Sequence, residues 1–248
     1  MSFLTNTKPN TPAIIQIMYT DKPHILLLHG ALGCKDQLVP LENLLTDVFE
    51  VHNINFSGHG GKPFRGPFTP QQFVSEIIGY ANEKQLQEFY VFGYSMGGYM
   101  ALCTSLQFPE RVKAIATYGT KLIWNPEVAE RESKMANPDK IMEKVPAFAE
   151  TLKNRHLLND WKEVLKYTVE LMQHLAKNPP LNENTFPKIT TPCILCSGDA
   201  DEVVSTQETR LVAGWIPQAE TYVFTNTRHP IEKIDLGQLT SIIKKMLS

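Results

Sequence analysis

Short unbroken apolar runs alternate along this chain with longer stretches in which apolar residues recur every three or four positions. Ile25-Leu26-Leu27-Leu28 and Phe89-Tyr90-Val91-Phe92 are of the first kind. Such runs suit strands covered on both faces, the usual condition of a parallel sheet. The pattern predicts strands at 13–18, 24–28, 50–55, 88–92, 114–118, 193–197 and 220–224, with helices between them. The first is followed by the short turn Asp21-Lys22-Pro23 and is placed to form an antiparallel edge hairpin with the second. Thr69-Pro70-Gln71-Gln72 supplies an N-cap, a proline at the first helical position and a capping-box glutamine. Phe73, Ile77, Tyr80 and Ala81 then make one apolar face. A closing helix is predicted over 235–247, with Leu236, Leu239, Ile243 and Met246 on its buried side.

The interval 120–188 has no strand-like run and several helical ones, predicted at 126–135, 139–152 and 161–176 with a short piece near Arg155. Asn178-Pro179-Pro180 and Phe186-Pro187 mark its exit. A crossover between parallel strands needs only one helix. The excess predicts a helical lid folded over the strand ends. The expected fold is therefore α/β: a mostly parallel, doubly wound sheet with helices on both faces, its core made of residues 1–119 and 189–248, and an inserted lid at 120–188.

Composition narrows the function. The 248 residues are 42% hydrophobic and 20% charged, which suits one large α/β domain with a substantial core. A net charge of −2 gives no attraction to nucleic acid or an anionic membrane. No apolar run is long enough to span a bilayer, and Met1–Pro12 lacks the basic and apolar segments of a secretory signal. A soluble cytoplasmic protein is expected; oligomeric state cannot be read. Cys193 and Cys196 have C-x-x-C spacing, but on a strand residues three apart face opposite ways, so buried thiols are expected rather than a metal or disulfide. No metal site and no cofactor are expected. His29-Gly30-Ala31-Leu32-Gly33 has neither a dinucleotide fingerprint nor a Walker lysine.

The chemistry concentrates in Gly93-Tyr94-Ser95-Met96-Gly97, directly after a strand-like run and directly before a helical segment at 98–108. A turn this tight needs small flanking residues and forces the serine into an unfavourable backbone conformation, at about 1–3 kcal/mol. It presents the hydroxyl clear of the sheet as a nucleophile. A serine needs an adjacent base, and that base a group to fix its tautomer. His229, alone among seven histidines, follows the last strand and precedes the closing helix. His156 and His174 fall in the helical interval, where surface positions are expected. Gly198-Asp199-Ala200-Asp201 follows the strand at 193–197 and offers two acids. Asp201 is favoured, and Asp199 is the alternative. The developing oxyanion needs two donors, assigned to the backbone N–H groups of Met96 and Ala31.

In the order His29-Gly30, Ser57-Gly58-His59-Gly60, Gly93-Tyr94-Ser95-Met96-Gly97-Gly98, Phe108-Pro109-Glu110-Arg111-Val112, Gly198 to Asp201 and His229, the chain resembles the α/β-hydrolase superfamily over nearly its whole length. The similarity is greatest to its small esterase-like and carbon–carbon-bond hydrolase branch. The resemblance implies a Ser95–Asp201–His229 triad, a lid, and a small-molecule carbonyl substrate cleaved through an acyl-enzyme. Two alternatives share these residues: a lyase or carbon–carbon-bond hydrolase using the triad for proton transfer, and a ligand-binding or signalling protein that keeps the pocket. Arg228 stands where the family often has glycine, and is expected to bring a positive charge near the base. Trp124 and Trp161 are candidates for lining the substrate pocket. Arg155 is a candidate partner for a substrate carboxylate, with a solvated surface position as its alternative.

Overall fold

The computed structural model describes residues 22–247. The strand expected at 13–18 lies outside them. Six strands form one sheet: β1 (His24–Leu28), β2 (Glu50–Ile54), β3 (Phe89–Tyr94), β4 (Val112–Tyr118), β5 (Cys193–Gly198) and β6 (Ala219–Phe224). Their order is β2-β1-β3-β4-β5-β6, and every pairing is parallel. The continuous apolar runs serve two faces at once. Leu26 and Leu28 join the cluster on one face, while Ile25 and Leu27 join the cluster on the other. Helices α2 (Pro70–Glu83), α3 (Met96–Gln107) and α8 (Thr206–Ala213) cover the first face. Helices α1 (Val39–Leu45) and α9 (Leu236–Lys244) cover the second. Cys193 and Cys196 part between the same two clusters, and all four cysteines are buried free thiols. Burial pushes the Cys193 and Cys196 thiols up to about 12.

Strand order reverses between β1 and β3, because β1 is followed by β2 on one side and by β3 on the other. In open α/β sheets this switch point leaves a crevice outside the carboxyl ends of the strands. Ser95 follows β3 and the loop 29–33 follows β1, so the two flank that crevice.

Between β4 and β5 the chain forms four helices: α4 (Pro126–Met135), α5 (Pro138–Lys144), α6 (Pro146–Arg155) and α7 (Trp161–Lys177). The single helix expected at 139–152 is in fact two. Val145 precedes a proline, whose ring excludes the helical conformation from its neighbour. Val145 accordingly sits at φ −141° and ψ 60°, ending α5 and opening α6. The piece expected near Arg155 is the last turn of α6. The closing helix is also shorter than expected. Asp235 lies outside it as the N-cap, accepting from the Gln238 N–H, and residues Lys245–Leu247 tighten into a 3-10 turn. No helix among the described residues is long and apolar enough to cross a membrane.

Candidate active site

Ser95 is the residue between β3 and α3 and has φ 52° and ψ −116°. Non-glycine residues rarely hold such angles unless their surroundings over-determine them. Here the Ser95 N–H donates to the Tyr118 carbonyl at 2.8 Å, and the Ser95 carbonyl accepts from the Gly98 N–H at 3.0 Å. Gly93 and Gly98 pass so closely that a Cβ on Gly93 would collide with Gly98 backbone. The turn thus closes only with glycine at these positions, and the residues flanking Ser95 are fixed by contact rather than by composition.

His229 and Asp201 complete a relay with this hydroxyl. His229 Nε2 lies 3.2 Å from Ser95 Oγ, and His229 Nδ1 lies 2.8 Å from Asp201 Oδ2. The Asp201 side chain is fully buried, and its other oxygen accepts from the Val203 and Val204 N–H groups at 2.7 and 2.9 Å. Burial alone would raise its pKa, but the bond from His229, the imidazole charge and these two backbone donors outweigh it and hold the carboxyl below its usual range. Asp199, the alternative acid, is exposed and makes no such contact; its N–H donates to the Phe224 carbonyl. Tyr118 OH donates to the Arg228 carbonyl at 2.5 Å and so pins the loop carrying His229. The Arg228 guanidinium, expected to bring a positive charge near the base, has an acidic partner of its own. It pairs with Glu202 at 2.5 Å on the surface, so its charge is matched there.

The loop after β1 lies against the serine: a Cβ added at Gly30 would fall 3.2 Å from Ser95 Cβ. Ala31, the expected second donor, stands in this loop. Met96 opens α3, where the first N–H groups have no partner within the helix. The loop is held from the helical interval. Arg155 Nη1 donates to the Leu32 carbonyl at 2.9 Å, and His156 Nε2 lies 3.2 Å from the same oxygen. The other nitrogen of His156 accepts from the Gly60 N–H at 3.2 Å. Arg155 is half-buried and anchored to that loop through Nη1, and His156, expected at the surface, is fully buried. Their positions could not be read from helical periodicity, since both side chains leave α6 at its end to reach a different loop.

His156 belongs to a buried chain of imidazoles. The His59 ring centroid lies 5.0 Å from His29 and 5.6 Å from His156. His29 Nδ1–H donates to the Gly30 carbonyl at 2.8 Å while its Nε2 accepts from the Phe56 N–H at 3.2 Å. Both roles require a neutral ring. Burial, foremost, brings His29 and His156 each down to about 4, and holds His59 well below the ordinary imidazole value.

The two candidate tryptophans lie in separate surroundings. Trp161 is buried among Ile141, Leu152 and Leu165, with Leu32 packed against that cluster. Trp124 lines a 260 Å³ cleft with Leu181 and Trp215, and none of Ser95, Asp201 and His229 lines it. The segment leading into the helical interval is fixed from α8: Glu208 pairs with Lys121 and accepts from the Leu122 and Ile123 N–H groups at 2.8 and 3.1 Å.

Residues 23–160 match the family model of the alpha/beta hydrolase fold. The chain is 24% identical over 193 residues to a 2-hydroxymuconate semialdehyde hydrolase of Pseudomonas putida, covering 69% of this chain and 66% of that protein. It is 26% identical over 123 residues to a probable alcohol acetyltransferase of Wickerhamomyces anomalus, covering 49% of this chain and 36% of that one. It thus spans less than two thirds of either relative. Among solved structures, the enol-lactonase of Burkholderia xenovorans superposes with a TM-score of 0.74 at 21% identity, over 91% of both chains. With more than half its length matched by the family model, the chain belongs to the alpha/beta hydrolase fold family.

Proposed function

We propose that the protein is a serine hydrolase that cleaves a small ester, thioester or related carbonyl substrate through an acyl-enzyme. Ser95 Oγ attacks the carbonyl carbon while His229 Nε2 takes its proton. Asp201 holds the Nδ1–H tautomer and stabilises the imidazolium. The Met96 and Ala31 N–H groups receive the oxyanion. His229 then returns the proton to the leaving group, and water repeats the sequence to free the acid. The helices of 120–188 act as a lid over a core of 1–119 and 189–248. The observation that carries this reading is the continuous Asp201–His229–Ser95 relay, ending on a serine held at φ 52°.

The test is a series of p-nitrophenyl acyl esters, short to long, with intact-protein mass measured during turnover. The expected result is a burst of p-nitrophenol and a mass increase equal to the acyl group, localised to Ser95. Turnover with label on another residue, or no reaction across the series and none with an active-site phosphonate, would sink the proposal. Similarity to the Pseudomonas putida hydrolase favours a second reading, cleavage of a carbon–carbon bond beside a carbonyl with the triad moving protons. Turnover of a dienone without an acyl adduct would select it.

Tyr118→Phe removes the hydroxyl that pins the Arg228 carbonyl. Loss of one such bond costs about 1 kcal/mol of stability. Slackening of the His229 loop is expected to lower kcat about tenfold with KM little changed, because small misplacements of a base are costly. Steady-state kinetics beside urea melts would check both.

A further inference from the structure

His24, Glu50 and His52 meet at the opposite end of the sheet from Ser95. His24 and Glu50 are the first residues of β1 and β2, and the parallel register sets them side by side. Residues two apart on a strand share a face, so His52 joins Glu50 on the same side. His24 Nδ1 lies 3.1 Å from His52 Nε2 and 3.7 Å from Glu50 Oε2, and one donor atom from each residue falls within 4.8 Å of the others.

We propose that His24, His52 and Glu50 form a binding site for a divalent transition metal ion of the zinc class. Two imidazoles and a carboxylate match that class, whereas magnesium and calcium prefer oxygen donors alone. Ligands bound to zinc at ordinary lengths in a tetrahedron sit roughly 3.3 Å apart. The two ring nitrogens are already near that spacing.

The surroundings prepare the donors. His52 Nδ1 lies 3.1 Å from the Tyr80 hydroxyl. A phenol oxygen there can accept the Nδ1–H and leave the Nε2 lone pair free for the metal, the outer contact that fixes the tautomer of ligating histidines. His52 is buried, so its ring is held in place between His24 and Tyr80. In the free protein one imidazole donates to the other. When the metal enters, that proton moves off the shared line, so that His52 carries hydrogen on Nδ1 and His24 on Nε2. Both rings remain neutral and no net proton is released. The side chains of His24 and Glu50 are 32% and 63% exposed, so the ion can arrive from solvent, and water can complete its coordination. Such an ion would clip β2 to β1 and, through Tyr80, to α2. Its distance from the serine end assigns it to holding the edge strand in place.

The test titrates the full-length protein with Co²⁺, followed by its visible absorption, and with Zn²⁺ against a chromophoric chelator. One ion per chain is expected, with a raised Tm. His24→Ala, at a half-buried position, and Glu50→Gln, at an exposed one, are expected to weaken binding by about a hundredfold and tenfold and to lose the Tm rise. Tyr80→Phe is expected to weaken it about tenfold. Equal affinity and stoichiometry in wild type and His24→Ala would overturn the proposal. So would uptake that survives His24→Ala and inhibits turnover, since that places the ion at His229. Absence of any Co²⁺ absorption at millimolar metal would do the same.

Discussion

Ser95→Ala is expected to lower kcat on a p-nitrophenyl ester by about 10⁵–10⁶-fold, leaving a small residue of catalysis from binding and the oxyanion donors. The variant loses one oxygen, 3.2 Å from His229, and no buried packing. Its fold and its urea midpoint should stay close to wild type. Asp201→Asn is the sharper probe of the same relay. The asparagine carbonyl can still accept from Val203 and Val204, so the loop is retained. Its amide, however, cannot accept from His229 Nδ1–H, and the imidazole turns to the other tautomer with its proton aimed at the serine. A loss of about 10⁴-fold is expected. Stopped-flow measurement of the burst decides between a nucleophile and a bystander. If either variant keeps a tenth of wild-type turnover, the assignment of the triad fails.

The second large effect is acid destabilisation. His29 and His156 are each held near 4 by burial, against 6.5 for the free side chain. The folded state therefore binds fewer protons than the unfolded state between these limits, and stability must fall as pH is lowered. The contribution is fully present above about 6.5 and is lost progressively down to about 4. At about 1.4 kcal/mol per pH unit this is on the order of 3 kcal/mol for each ring. His59 adds to the same trend. Asp201, whose pKa is lowered, adds its own loss only below the ordinary carboxylate range, so the two windows separate. Urea denaturation at pH 7.0, 5.5 and 4.5 would read the slope. A midpoint unchanged between pH 7.0 and 5.5 would show that the three rings are not buried in the neutral form. Since His156 also holds the Leu32 carbonyl, activity should fade ahead of global unfolding.

The strands and the elbow were readable because each follows from short-range physics. Ile25 to Leu28 must be covered on both faces, and Gly93 to Gly97 can hardly be anything but a tight turn. His229 was readable from chain order alone. Asp201 was separable from Asp199 only as a preference, because the deciding contacts are the Val203 and Val204 N–H groups and a ring 28 positions away. The helical interval is legible as helices, and Pro146 carries the break at Val145 that the apolar spacing alone does not show. The contacts of Arg155 and His156 are illegible in the sequence for a different reason. Their partners are the Leu32 carbonyl and the Gly60 N–H, on loops that no local pattern connects to them. The same holds for His24 and His52, which only the parallel register brings together. Trp124 and Trp161 show the limit of composition: it marks aromatic residues in the helical interval but not their neighbours, and Trp161 sits in a small cluster with Ile141, Leu152 and Leu165.

The left-handed backbone at position 95 also limits what this site can become. A side chain branched at Cβ is stiff and crowds the backbone, so threonine, though it carries the same hydroxyl, is a poor substitute there. Cysteine and aspartate are unbranched at Cβ and present a thiolate or a carboxylate from the same point. Descendants of this chain that change their nucleophile by one residue therefore have a thiol or an acid open to them, and the most conservative-looking exchange closed.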